Sequence, residues 1–233
     1  MSEIVAAALA AACGRHLGVA ARIENLRRES GGASRQTWSF DAVADGKRHE
    51  LILRRDLPTV AGAEKASSTA LDRATEFRVL RAAFQGGVRA PEVLFELTAG
   101  DGLGEAFVMR RIGGTAIARK LLRDAPYADA RTRITDQLGE IVARIHSVDV
   151  ARLPSLARRE AADQIAGLRA TLDLLDQPQP VFELALSWLD RRKPAPAAKP
   201  VLVHGDYRTG NYLRSEEHTS ELQSRQSRMP SSA

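Results

Sequence analysis

The sequence is poor in cysteine, aromatic residues and lysine, and it has no hydrophobic run of membrane-spanning length. Its single cysteine, Cys13, excludes an internal disulfide framework and is typical of a protein from a reducing compartment. The apolar stretch at residues 4–12 is too short to cross a bilayer and follows Glu3 rather than basic residues. It therefore predicts the start of a helix, and we expect a cytoplasmic protein with no membrane partner.

Lysine supplies 5 of the 34 basic residues, and the arginines that supply the rest are scattered among acidic residues and alanines. A nucleic-acid-binding protein typically has a basic stripe with interleaved aromatic residues, whereas aromatic residues make up only 5% of this chain. We therefore expect no nucleic-acid partner despite the net charge of +5. With 233 residues, 44% of them hydrophobic, the chain is long enough for one large domain or two small ones.

The composition changes abruptly at Arg214, after which serine and glutamine dominate and hydrophobic residues almost vanish. A polar C-terminal segment is ordinarily disordered. However, residues 214–224 back-translate onto the start of a common short-read sequencing adapter, and residues 227–233 onto a later part of it. We expect residues 214–233 to be a non-native tail and the natural sequence to be interrupted after about Leu213.

Before this tail, hydrophobic periodicity predicts a β-rich segment followed by a helical one. Predicted strands lie at 23–28, 36–43, 50–55, 93–97 and 106–112, with a short buried strand at 201–203. Predicted helices lie at 69–84 and around 134–145, 165–175 and 182–189. The order resembles the α+β, bilobal layout of protein kinases, with a small antiparallel β lobe at 1–112 and an incomplete helical lobe at 113–213.

The segment from His204 to Asn211, which reads HGDYRTGN, carries the most chemistry. Protein kinases use H-R-D-x-x-x-x-N, in which the aspartate acts on the acceptor hydroxyl and the asparagine binds magnesium. With this motif the sequence resembles the aminoglycoside phosphotransferase and choline kinase-like family, and within it the kinase-like domains related to acyl-CoA dehydrogenase fusions. The resemblance implies that Asp206 is catalytic, that Asn211 is a magnesium ligand and that His204 is structural. The alternative is that Asp206 and Asn211 simply cap a turn.

A glycine-containing loop lies between the first two predicted strands, where kinases cover the nucleotide phosphates. Gly31 and Gly32 allow backbone N–H groups to approach an anion closely, and Ser34 adds a hydroxyl. The same sequence also suits a plain hairpin turn. We expect Gly31, Gly32 and Ser34 to bind the cofactor.

Arg54 stands where kinases place the strand lysine that binds the α- and β-phosphates, and Glu76 matches the helix glutamate that pairs with that lysine. Arginine binds phosphate bidentately but is not equivalent to lysine. The alternative is an ordinary surface ion pair. Met109 and Arg111 fall in the predicted hinge, 109–112, where backbone groups meet adenine.

The resemblance implies ATP and Mg²⁺ as cofactors and a small molecule with a hydroxyl group as acceptor. The family also uses a second magnesium ligand, an aspartate soon after the catalytic loop, and none follows Leu213 here. We therefore expect a phosphotransferase that is inactive as written. The alternative is a non-catalytic nucleotide-binding module of the pseudokinase type. The sequence specifies neither the acceptor nor the oligomeric state.

Overall fold

The computed structural model describes residues 2–29, 35–56, 71–175, 177–214 and 222–224. The chain divides into two compact units, one formed by Met1–Pro154 with Leu202–Ala233 and the other by Ser155–Val201. None of the helices in the described ranges is both long enough and apolar enough to cross a bilayer. The lobe boundary that the sequence predicts near residue 113 stays a prediction.

The larger unit is built on an antiparallel sheet of five strands in the order β1-β2-β3-β5-β4. The strands are β1 (Ala21–Arg28), β2 (Arg35–Ala44), β3 (Lys47–Asp56), β4 (Val93–Glu96) and β5 (Ala106–Arg110). The hairpin predicted between β2 and β3 is confirmed. Asp45 and Gly46 both have positive φ, 49° and 68°, as the two central residues of a type I′ hairpin turn do.

Two helices cover opposite faces of this sheet because successive strand residues point to opposite sides. Helix α1 (Ser2–Leu17) packs against one face, where Leu9 shares a core with Phe40 and Leu53. Helix α2 (Arg73–Gln85) packs against the other face, where Phe77 shares a second core with Phe107. Arg54 pairs with Phe107 in the sheet register and so lies on the α2 face.

The start of α2 corrects the sequence prediction, which placed it at residue 69. The helix begins at Arg73 because Asp72 has an extended backbone and caps it. The Asp72 carboxylate accepts a hydrogen bond from the backbone N–H of Thr75 at 2.7 Å. Such a cap satisfies a backbone donor that the first helical turn leaves without a partner.

The helices of the larger unit that follow the sheet support the segment that contains the HGD motif. These helices are α3 (Ala118–Arg123) and α4 (Ala128–His146). Two short strands, β6 (Tyr212–Arg214) and β7 (Leu222–Ser224), follow the motif. Ile141 and Ile145 of α4 pack in the same core as Tyr212. The backbone of Arg214 pairs with that of Thr115 at 2.8 and 3.0 Å. The buried Arg214 side chain also donates from Nη1 to Gln137 Oε1 on α4 at 3.1 Å.

The smaller unit contains α5 (Ala161–Leu174) and α6 (Pro180–Arg192), both predicted from the sequence. Their buried residues are few in the described part, Ile165 in α5 and Leu186 in α6. Residues 201–203 correct a prediction, since they form no strand and Val201 and Val203 are 47% and 61% exposed. No strand among the described residues pairs with them, so only Leu202 of this run packs against a core.

A buried carboxylate on β2, Asp41, ties three parts of the chain together. It accepts hydrogen bonds from the Asn25 amide at 2.7 Å, the Arg48 guanidinium at 3.1 Å and the Arg111 guanidinium at 2.8 Å. The Asn25 hydrogen bond, with the charges of Arg111 and Arg48, lowers the pKa of Asp41 although burial acts to raise it. Asp41 thus holds Arg111, just beyond β5, against the sheet.

Replacing Asp41 with asparagine is expected to lower the free energy of unfolding at pH 7 by about 1.5–3 kcal/mol, the range for hydrogen bonds to charged groups. Because the pKa of Asp41 is lower in the folded state, the carboxylate stabilises the fold above its unfolded pKa. This stabilisation disappears as the pH falls through the folded pKa. Urea unfolding should therefore show a smaller difference in unfolding free energy between D41N and wild type at about pH 3 than at pH 7. The exposed Asp136→Asn is the control, and a difference for D41N that is constant with pH would contradict the assignment.

Candidate functional site

The two ends of the HGD loop are bonded to each other. The Asn211 side-chain amide donates to the Asp206 carboxylate at 2.6 Å and to the Asp206 backbone carbonyl at 2.8 Å. Asn211 is only 2% exposed, whereas the Asp206 side chain is 22% exposed. The structure therefore brings together the two residues singled out by their spacing, with the asparagine buried and the carboxylate reachable from solvent.

His204, the first residue of the motif, contacts the backbone and a side chain of the loop that follows it. Its Nδ1 accepts a hydrogen bond from the backbone N–H of Asp206 at 3.3 Å, and its ring meets that of Tyr207 edge-on at 5.3 Å. Burial lowers the pKa of His204, against the opposing charge of Asp206, so the ring is neutral at pH 7. A neutral ring can accept at Nδ1, which is the arrangement required to brace the loop.

Two further residues of the loop were not singled out from the sequence. The Tyr207 hydroxyl donates to the carbonyl of Leu138 on α4 at 3.2 Å, and burial raises the pKa of Tyr207 to about 12, so it remains a donor. The Arg208 guanidinium donates to the Asp206 carboxylate at 3.0 Å from an exposed position. Tyr207 therefore anchors the loop to α4, and Arg208 balances the charge of Asp206.

Asn211 carries an oxygen ligand suited to a hard cation. The Asn211 amide nitrogen faces Asp206, and its Oδ1 accepts no hydrogen bond from the described residues. Mg²⁺ takes such oxygens from one or two side chains and completes its shell with water and phosphate. The Asn211 Oδ1 thus suits a magnesium ligand, whereas the two Asp206 oxygens already accept hydrogen bonds from Arg208 and Asn211. No three His, Cys, Asp or Glu residues cluster within the described ranges.

The predicted pair of Arg54 on β3 and Glu76 on α2 is formed. Arg54 Nη1 lies 3.0 Å from Glu76 Oε1, and the two side chains are 9% and 7% exposed. This burial excludes the alternative of an ordinary surface ion pair. Arg73 also contacts Glu76, which the sequence analysis missed because nothing but its spacing of three residues from Glu76 marks it.

Arg54 opens onto a cleft of about 220 Å³ on the α2 face of the sheet. It is lined by residues of β2, β3, α2 and β5, by residues next to β1 and β4, and by the segment after β5, namely Glu29, Thr37, Ile52, Arg54, Leu80, Pro91, Met109, Arg110, Arg111, Ile112 and Gly114, together with Leu213. The cleft thus brings together Arg54, Met109 and Arg111 of the predicted cofactor residues. Leu213, two residues beyond Asn211, places the end of the HGD loop at the same cleft.

The predicted phosphate loop, with Gly31, Gly32 and Ser34, lies outside the described residues. On the two sides of this loop, Glu29 just beyond β1 and Thr37 on β2 both line the cleft, and the Glu29 backbone N–H donates to the Thr37 carbonyl at 2.9 Å. The role of the loop stays a prediction.

Comparison with solved structures defines the class of fold. A Ralstonia eutropha JMP134 protein, provisionally named an aminoglycoside phosphotransferase, superposes with a TM-score of 0.67 at 20% identity, over 94% of this chain and 63% of that one. Spectinomycin phosphotransferase APH(9)-Ia, solved with ADP and spectinomycin, superposes with a TM-score of 0.55 at 12% identity, over 93% of this chain and 66% of that one. The chain thus has the kinase-like α+β fold of these proteins and spans slightly less than two thirds of their length.

The sequence comparison names the family. Residues 25–221 match the profile of the phosphotransferase enzyme family, so the chain belongs to that family. No curated protein sequence matches it significantly.

Proposed function

We propose that the protein is an ATP-dependent phosphotransferase whose family reaction moves the γ-phosphoryl group to a hydroxyl of a small molecule. The observation that carries this proposal is a single cleft lined both by Arg54 and by the segment after β5. Arg54 is held there by its ion pair with the buried Glu76. A guanidinium held in this way offers a planar pair of N–H donors to phosphate oxygens. Its partner on α2 fixes the direction in which it points.

The base end of the nucleotide would meet the segment after β5. The backbone N–H of Arg110 donates to Glu92 and that of Arg111 donates to Glu50, both at 2.9 Å. The N–H of Ile112 donates to no described residue, so it is the donor left for a base edge. The Arg111 side chain, bonded to Asp41, keeps this segment in place.

The HGD loop would act on the acceptor and on the metal. Asp206, reachable from solvent, would accept the proton of the acceptor hydroxyl, a role that typically contributes about 10² to 10⁴ in rate. Asn211 would hold Mg²⁺ through Oδ1, and the ion supplies neutralisation of the phosphate charge. His204 and Tyr207 would keep the loop in position for both tasks.

The polypeptide as its sequence stands is proposed to bind nucleotide without measurable transfer. No aspartate follows Asp206 in the sequence as given, so this sequence does not contain the aspartate that the family resemblance implies as the second magnesium ligand. The absence of this magnesium ligand equally supports the second candidate function, a non-catalytic nucleotide-binding module.

Thermal unfolding with added ligands tests the proposed function. ATP with Mg²⁺ is expected to raise the Tm of the chain, whereas duplex DNA at matched charge concentration is expected to leave it unchanged. If DNA raises the Tm, this rise disappears at high salt and ATP has no effect, the result would contradict the nucleotide site and indicate a nucleic-acid site.

A phosphoryl-transfer assay on the same samples tests the proposed lack of turnover and the role of Asp206. We expect no turnover by the chain as written. Turnover that is abolished in Asp206→Asn would contradict the proposed inactivity and would establish the kinase. Turnover that persists in Asp206→Asn would contradict the role of Asp206.

A further inference from the structure

Arg73, in the first turn of α2, is one of the largest fully buried side chains of the described residues. Its Nε and Nη2 donate to one carboxylate oxygen of Asp56, at the end of β3, at 2.8 and 2.7 Å. Its Nη1 donates to Glu76, one turn further along the helix. A guanidinium that is 2% exposed must have carboxylate partners, and Arg73 has two of them on different elements.

Glu76 divides its two carboxylate oxygens between two arginines. Oε1 pairs with Arg54 and Oε2 pairs with Arg73. The negative charge that faces Arg54 is therefore partly offset by the guanidinium of Arg73. A rigid planar donor such as arginine also fixes the orientation of the carboxylate, which a lysine ammonium does less well.

Both consequences concern the phosphate end of the cleft. With Arg73 in place, Arg54 is held in a defined direction by Oε1 and keeps more of its attraction for an incoming anion. Without Arg73, the full charge of Glu76 would act on Arg54, and the link from the end of β3 to the first turn of α2 would be lost.

We propose that Arg73 is a positioning residue for the polyphosphate, acting through Glu76 on Arg54. This inference rests on the proposed nucleotide site. It goes beyond the Arg54–Glu76 pair because it assigns a role to a third residue that does not line the cleft.

Calorimetric titration of the full chain with ATP·Mg²⁺ and, separately, with adenosine tests this role. Arg73→Gln is expected to raise the Kd for ATP by about tenfold, the size of one charge-assisted hydrogen bond, and to leave the Kd for adenosine unchanged. Arg73→Lys keeps the charge without the planar donor set and should lose less affinity for ATP than Arg73→Gln. Arg78→Gln, at an exposed position on the same helix, is the matched control and should bind both ligands like wild type.

Each other outcome overturns a different claim. If wild type binds ATP and both Arg73 variants bind it equally well, Arg73 has no role in phosphate binding. If the affinities for ATP and adenosine fall together, Arg73 only maintains the fold. If Arg73→Gln does not fold, Arg73→Lys decides in the same way. If wild type binds neither ligand, the proposed function itself fails, and the inference fails with it.

Discussion

Replacing Arg54 with methionine is expected to weaken ATP binding by about 10- to 100-fold, because charge-assisted hydrogen bonds contribute about 1.5–3 kcal/mol. Methionine keeps an apolar stem at this position of the cleft lining but removes the guanidinium. Glu76 retains Arg73 as a partner in this variant, so its buried carboxylate is not left without a counter-charge. The protein should fold, and isothermal titration with ATP·Mg²⁺ measures the loss.

Adenosine is the matched ligand control for Arg54→Met, since it shares the base and ribose but has no phosphate. Its affinity should be the same for wild type and variant. Arg54→Lys, which restores a cation at the same position, should recover part of the affinity for ATP. An equal loss for ATP and adenosine, or no loss for either, would show that Arg54 does not face the phosphates.

Truncating Phe107 to alanine is expected to destabilise the protein by about 3–5 kcal/mol, the usual cost of removing a buried phenylalanine. Phe107 on β5 is 0% exposed and lies in the core that joins the sheet to α2. Its ring centroid is 5.8 Å from that of Phe77, so the truncation also removes an aromatic contact. Because whole domains are stable by only about 5–15 kcal/mol, this single change removes a large share.

Urea unfolding followed by far-ultraviolet circular dichroism measures the effect of Phe107→Ala. Phe84→Ala is the matched control, because Phe84 lies on α2 but is 43% exposed, and it should cost about 1 kcal/mol or less. Similar costs at the two positions would contradict the packing of α2 on the sheet. A stable Phe107→Ala protein would place the main core elsewhere.

The elements that local chemistry determines were predictable from the sequence. The Asp45-Gly46 turn is an example, because Asp-Gly favours the two-residue type I′ hairpin, in which both central residues have positive φ. The pairing of Asp206 with Asn211 was also accessible, since both belong to one short loop. Arg54 and Glu76 required the family resemblance, which supplies the two positions without any local signal.

The interactions that depend on distant partners were not predictable. Arg73 is one arginine among many in the sequence, and its burial depends on Asp56, 17 residues earlier. Asp41 and Arg111 are 70 residues apart, and only the folded sheet shows that they meet. The predicted strand at 201–203 failed for a related reason, since an apolar run becomes a strand only where a neighbouring strand is available to pair with it.

A crystal structure of the chain grown with ADP and Mg²⁺ tests the central claim most directly. The account predicts the adenine beside residues 109–112, with its edge on the Ile112 amide, the phosphates on Arg54, and the metal on Asn211 Oδ1. ADP bound on another surface would contradict it. So would ADP in the cleft with its phosphates directed away from Arg54.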